Sequence, residues 1–383
     1  MIGVQSARLS RRRVLGLAAG GVLAATAGCG GTSSDRQALV PTVVQVGTPP
    51  AAVPGFDEPG RWAGRTLRVG AWGGEVQAAL RLMVWEPFAR LTGCVIREVV
   101  TDYGALDRSL QGGDPYADVL VVDSMRVSPL AAQGAIQAGP ANAALGVDLV
   151  PPLDGSVPAY AYGMVSAYRR ETGDPDEAPE SWEAWWDRDR FPGNRTLYKG
   201  PFGTFEFALM ADGVAPDQLY PLDSERAIES LKRISGRIVN RWWESGVQPV
   251  TWLSRGQADF GSAWHYRVLA GQADGEPVGL VWDQGLLVAD HWVVPAGAAV
   301  DLATDFLRFA STPEVQAALA QQVGLGPVVS GAFDHLDPLF VSTLPTAPEN
   351  IGKLVRQDVA WWTANNVEAN QQFNEWLLGN PDE

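Results

Sequence analysis

Apolar positions along the chain follow strand and helix periods in alternation. Leu67-Arg68-Val69-Gly70-Ala71-Trp72 reads as a strand that stops at Gly73-Gly74. From Glu75 to Leu91, Val76, Leu80, Leu82, Trp85 and Phe88 recur at helical spacing. A further strand, Val95 to Val100, follows Gly93. Ala117 to Val122 is a near-continuous apolar run with a polar end, the pattern of a parallel strand covered on both faces. Strand, helix, strand, helix, strand is α/β order. Helices are expected over Ser224 to Val239, Asp301 to Ala310 and Pro313 to Gln322, the last opened by Ser311-Thr312-Pro313-Glu314. Leu286 to Pro295 is a second long apolar segment, with Asp290 as its one acid. Thr66 to Glu383 spans 318 residues. Single cores stop growing at about 250–300 residues, so two lobes are expected.

The N-terminus has a different pattern. Arg8, Arg11, Arg12 and Arg13 precede an apolar stretch from Val14 to Ala27, the order of an export signal. The stretch is shorter than the ~20 residues of a typical spanning helix. Ser10-Arg11-Arg12-Arg13-Val14-Leu15 resembles the twin-arginine export motif, and Thr26-Ala27-Gly28-Cys29 resembles a lipobox, with Thr26 where leucine is usual. Residues 1–28 are therefore read as the signal and Cys29 as the lipidated first residue of the mature chain. Gly, Ser, Thr and Pro clusters between 30 and 65 read as a tether too poor in apolar residues to pack a core. Residues 29–65 would hold the folded part away from a membrane surface.

Charge and chemistry narrow the function by exclusion. Removing residues 1–28 removes four arginines and no acid, so 29 Lys+Arg against 44 Asp+Glu becomes 25 against 44, and the net charge moves from −15 to −19. Nucleic-acid binding relies on basic surface, and this body is strongly acidic. With Cys29 lipidated, Cys94 has no partner for a disulfide and reads as a small buried side chain. No CxxC pair, GxSxG elbow, HExxH, phosphate-gripping loop or GxGxxG after the first strand occurs, so neither an enzyme nor a cofactor is expected. Of the three histidines, His265 and His291 imitate a metal site beside Asp290 only if the fold brings them together, and their spacing forms no motif. Most of the fifteen tryptophans are expected in the core, with Trp362 a further candidate wall for a small molecule.

Several stretches then match one family in order. They are Leu67 to Gly74, Glu86-Pro87-Phe88-Ala89-Arg90-Leu91-Thr92-Gly93, Ala117-Asp118-Val119-Leu120 and Phe191-Pro192-Gly193-Asn194-Arg195. Ala211-Asp212-Gly213-Val214, Leu219-Tyr220-Pro221-Leu222-Asp223, Trp242 to Gln248 and Gly324-Leu325-Gly326-Pro327 continue the series. Over residues 66–383 the chain resembles bacterial extracellular solute-binding proteins of the spermidine/putrescine-binding class. The resemblance implies an α/β fold of the type II periplasmic-binding kind, with two discontinuous lobes joined by crossing strands. Placing the crossings near Tyr160 and Ala289 gives lobe one as 66–159 plus 290–330 and lobe two as 160–289 plus 331–383. It also implies a monomer that receives a small molecule and delivers it to ABC permease subunits with their ATPase. A ligand-sensing lipoprotein on the same scaffold is the alternative role.

The same resemblance suggests site residues. Asp290 matches an Asp that holds a ligand amine at the second crossing, and Trp72 and Trp264 match pocket aromatics. Trp72 and Asp123 also stand at strand ends, where α/β sheets bind ligands. Glu75 and Met125 stand where relatives carry tyrosine, and Val288 where they carry tryptophan, so the pocket is expected to be reshaped. A second amine-binding carboxylate falls near Gly203, with Glu206 about one helix turn deeper. Arg126 and Arg267 are positioned by sequence to offer positive charge to a ligand carboxylate. The expected cargo is a small organic cation, with a polyamine first and an amino-containing carboxylic acid as the alternative.

Overall fold

The computed structural model describes residues 47–112, 115–140, 142–170, 178–234 and 239–379. The export signal and Cys29 lie outside these residues. The described strands are β1 (Thr66–Ala71), β2 (Val95–Val100), β3 (Val119–Asp123), β4 (Ile136–Gln137), β5 (Ser156–Arg169), β6 (Arg195–Tyr198), β7 (Val239–Trp243), β8 (Phe260–Trp264), β9 (Val278–Pro295) and β10 (Val355–Arg356). They are ordered β2-β1-β3-β9-β5-β8-β6-β7, with β4 and β10 added beside β9. β1, β2 and β3 are parallel to one another, as are β6, β7 and β8, and the helices between them supply the crossovers. β5 and β9 run antiparallel to each other through the middle.

Those two long strands position everything else. One core gathers Leu67, Val69, Trp85, Phe88 and Phe306 on the β1 side and takes Ala159, Trp292 and Val294 from the central strands. A second gathers Trp182, Trp185, Leu197, Phe205, Phe207 and Trp243 on the β6 side and takes Met164, Leu286 and Val288. A strand buried along both faces reads as an unbroken apolar run, which explains the sequence from Leu286 to Pro295. The fold is thus the expected two-lobed α/β arrangement. Ala161 pairs with Ala289 and Tyr160 with Asp290, so the two segments expected to cross meet in register.

Three expectations are corrected. The tether does not extend to residue 65: Val53 and Phe56 are 3% and 9% exposed and belong to the first core. The Phe56 ring meets Phe309 at 5.1 Å, edge to face, and the Trp62 indole N–H donates to Asp305 at 2.9 Å. The Pro- and Gly-rich composition conceals these few apolar anchors. The helix expected to reach Val239 ends at Lys232, and Val239 instead begins β7. Gly236, a poor helix former, lies between the two elements. Finally, β9 begins at Val278, eight residues before the expected segment, because the turn-like Trp282-Asp283-Gln284-Gly285 is absorbed as an irregularity between pairings Ser166–Val281 and Met164–Leu286. The helix expected over Glu75 to Leu91 runs from Gly74 to Thr92, with a π-helical stretch at Arg81–Trp85.

The packing of Phe56 gives a direct test. Phe56→Ala is expected to lower stability by about 3 kcal/mol through the cavity it leaves. Urea titration of the mature chain would measure it, and an unchanged midpoint would return residues 47–65 to the status of a tether.

Candidate functional site

Beside the middle of β9, a cavity of about 430 Å³ opens where the two halves of the sheet meet. Each part of its wall follows from a strand end. β1 stops before Trp72, and Gly73 turns the chain with φ at +81°, a conformation that glycine adopts without a Cβ penalty. The helix Gly74–Leu80 then begins, and Trp72 stays 39% exposed at the rim. β3 ends at Asp123, directly opposite Asp290 of β9 in the antiparallel ladder. β8 ends at Trp264, whose ring meets Tyr162 at 5.2 Å, edge to face. A Cβ on Gly246 would come within 2.6 Å of the Trp264 ring, so the absence of a side chain there lets the indole take this position.

Asp290 dominates the chemistry. It is only 4% exposed. The Trp72 indole N–H donates to its Oδ2 at 2.8 Å, the Tyr160 hydroxyl donates to the same oxygen at 3.0 Å, and the Tyr162 hydroxyl donates to Oδ1 at 3.1 Å. Burial pushes its carboxyl up to about 7; the Trp72 indole pulls the other way, and the negative charge of Asp123 adds to the rise. Asp123 is also raised by burial, although the Tyr103 hydroxyl donates to its Oδ2. Its Oδ1 is buried with no hydrogen-bond partner among the described residues. Two carboxylates removed from water and bordered by aromatic rings form a receptor for positive charge.

The same cavity carries the opposite sign. Arg267, from the helix His265–Ala273, forms an ion pair with Glu75, and both line the wall. Arg126 does not line the cavity: its guanidinium lies 4.3 Å from the Tyr103 ring centre, within electrostatic reach of Asp123. Trp72, Glu75, Asp123, Trp264, Arg267 and Asp290 are therefore brought together.

Glu206 and Trp362 are not. Both are fully buried in another cluster, where the Tyr220 hydroxyl and the Trp362 indole N–H donate to Glu206 Oε1 at 2.8 and 2.7 Å. Trp362 is a packing residue here, and burial raises the Glu206 carboxyl to about 7. A second cavity, about 470 Å³, shares no wall residue with the first; it is lined by Tyr220, Leu287, Ala289, Arg356, Gln357 and Asp358 among others, with a single carboxylate in place of the facing pair.

The histidines are structural. The Gly163 N–H donates to His265 Nδ1 at 2.9 Å, which fixes the proton on Nε2, where it is donated to the Gly324 carbonyl at 2.8 Å. His291 instead contacts Ser156 at 3.0 Å. Burial lowers both rings to about 4. No cluster of metal-ligating side chains occurs among the described residues.

Beyond the expected Trp72 and Trp264, the wall carries Tyr160, Tyr162 and Tyr266, and Tyr103 reaches Asp123 from outside the lining. Tyr160-Ala161-Tyr162 carried a readable signal, because alternate residues of a strand share a face and here face Asp290. Tyr103 carried none, since it reaches Asp123 from a separate helix, Tyr103–Gly112.

Comparison with known proteins adds an independent finding. Residues 96–349 match the family described as bacterial extracellular solute-binding protein. The chain is 32% identical over 323 residues to the gamma-aminobutyric acid-binding protein of Pseudomonas aeruginosa, across 82% of this chain and 91% of that one. The crystal structure of an ABC transporter substrate-binding protein from Bradyrhizobium japonicum is similar with a TM-score of 0.75 at 31% identity, covering 82% of this chain and 99% of that one. The Atu4243-GABA receptor structure is similar with a TM-score of 0.74 at 30% identity, covering 82% and 97%.

The buried acid generates a stability prediction. A carboxyl held at about 7 in the folded chain, against 3.8 ordinarily, is protonated in the folded state at pH values where the unfolded chain has released its proton. Its contribution is full below about pH 4 and is lost as pH rises to about 7, a change of about 4 kcal/mol. Asp290→Asn does not titrate, so its thermal midpoint without ligand should exceed that of the parent by several degrees at pH 8. The gap should close towards pH 4. A gap independent of pH would show that Asp290 is not held protonated by burial.

Proposed function

The chain belongs to the bacterial extracellular solute-binding proteins, which serve ABC transporters and are not enzymes, and we propose that its cargo is a small amino-containing carboxylic acid. The observation that carries this reading is the presence of buried Asp290 and the cationic Arg267 in the wall of one cavity. An ammonium leaving water needs an ionised acceptor, and Asp290, with Asp123 beside it, supplies one. As the cation approaches, its charge favours the ionised form and draws the carboxyl down from about 7. The rings of Trp72, Tyr162 and Trp264 cover the methylenes, at about 0.8 kcal/mol each, and attract the cation at about 1–2 kcal/mol when it is desolvated. The guanidinium of Arg267 suits the ligand's carboxylate, since it can grip both oxygens.

A polyamine fits this wall less well. Its second ammonium brings no carboxylate to Arg267, and drawing Glu75 away would leave that arginine uncompensated in a partly buried site, which is costly. Two relatives named for gamma-aminobutyric acid support the zwitterion over the polyamine. The spermidine/putrescine resemblance therefore carries over as scaffold, and the cargo follows the alternative. Ligand bridging the two lobes would favour their closed arrangement in proportion to its extra affinity for it.

The family places the protein outside the cytoplasm, in the periplasm or on the cell surface. Anchoring through Cys29 extends our reading beyond the described residues. In cells, Cys29→Ala should move the protein from the membrane fraction to the soluble one. Retention in the membrane fraction, with no lipid on Cys29 by mass spectrometry, would remove the anchor.

Calorimetry on ligand-stripped protein should show 4-aminobutanoate binding more tightly than putrescine or spermidine. Asp290→Asn should weaken 4-aminobutanoate by about 2–5 kcal/mol, the effect of removing one partner of a desolvated charge pair. Protonation competes with the ammonium, so affinity should fall as pH drops below about 7, by up to about tenfold per unit. Tight binding of a neutral sugar, or unchanged affinity in Asp290→Asn, would defeat the assignment.

A further inference from the structure

Two charged side chains in the cavity wall satisfy each other. Glu75 stands in the first turn of the helix Gly74–Leu80 after β1, and Arg267 in the helix His265–Ala273 after β8. They are 192 residues apart in sequence, so the ion pair joins elements from the two sides of the β5–β9 ladder. Nη1 of Arg267 donates to Glu75 Oε2, the guanidinium lies 5.2 Å from the Tyr266 ring centre, and Nε is buried with no hydrogen-bond partner among the described residues. The Glu75 side chain is 46% exposed against 23% for Arg267.

A carboxylate resting on the guanidinium of this cavity has the chemistry that a ligand carboxylate would bring. We propose that Glu75 is a specificity-determining residue: it occupies Arg267 and gives way to the carboxylate of the ligand. This rests on the zwitterion reading above and adds the device that enforces it.

An ion pair as exposed as this contributes little, so exchanging one carboxylate for another is inexpensive. Glu75 is the more exposed partner and returns to water, whereas Arg267 stays and remains neutralised. The ligand's two oxygens can take the guanidinium at two points, the stronger form of this contact. A diamine has no group to offer Arg267. Its second ammonium would be drawn to Glu75 instead, and taking Glu75 away would leave the arginine charge uncompensated. Selection for a carboxylate is thereby set by the Glu75–Arg267 pair, and capture of the amine by Asp290.

The test is calorimetry with 4-aminobutanoate and 1,4-diaminobutane on the parent, Glu75→Gln, Arg267→Gln and Asp290→Asn proteins. Glu75→Gln, with its competitor removed, should tighten 4-aminobutanoate by about fivefold. Arg267→Gln should weaken 4-aminobutanoate by about thirtyfold or more and tighten 1,4-diaminobutane, because Glu75 is then available to an ammonium. If 4-aminobutanoate binds in an Asp290-dependent way but Glu75→Gln leaves it unchanged or weaker, the exchange is wrong while the zwitterion reading stands, and Glu75 only orients Arg267. A parent protein that does not bind 4-aminobutanoate overturns both.

Discussion

A carboxylate buried at the centre of two joined lobes is the constraint on which this site depends. Asp290 lies in the middle of the longest described strand, 4% exposed, between apolar neighbours that belong to both cores. A charge in such a place is expensive unless polar groups surround it. One indole and two phenols do so, yet they are neutral donors, and the carboxyl remains raised to about 7. The protein therefore carries an acid whose charged form is incompletely compensated by its own side chains. In the function we propose, the ammonium of the cargo completes that compensation.

The rest of the fold can be understood as support for that position. β5 and β9 must be long enough to enter both lobes, so the carboxylate is placed where the lobes meet rather than inside either one. The ladder sets Asp123 opposite Asp290, which raises the local negative potential. His265 fixes β5 to the Gly324 turn with both ring nitrogens and remains neutral because burial lowers it to about 4. It supports the wall without adding positive charge to the cavity. Gly246 lets the Trp264 ring lie against the backbone.

Much of this was legible in the sequence. Strand-and-helix periods gave the α/β class, and Asp290 stood out as the one acid in an apolar segment, its place in a site being implied by the family resemblance. Trp72 and Asp123 were readable from their positions next to strand ends. What failed had specific causes. Tyr103 reaches the site from a helix with no pattern linking it to β3, and only three-dimensional proximity reveals it. Glu206 sits close to a matched position in sequence but is held by Tyr220 and Trp362 away from the cavity. Phe56 was lost within proline-rich composition, although one aromatic ring suffices to fasten a segment to a core. Arg126 and Arg267 were indistinguishable as charges in sequence; the former lies over a tyrosine ring and the latter in the cavity wall.

The proposed function fixes direction as well as affinity, with the ammonium of the cargo on Asp290 and its carboxylate on Arg267. A crystal structure of the mature chain with 4-aminobutanoate tests this most directly. The ligand nitrogen is expected within about 3 Å of an Asp290 oxygen, its carboxylate on the guanidinium of Arg267, and Glu75 turned towards solvent. A ligand bound the other way round, or bound beside Glu206 with Asp290 still held only by Trp72, Tyr160 and Tyr162, would contradict it.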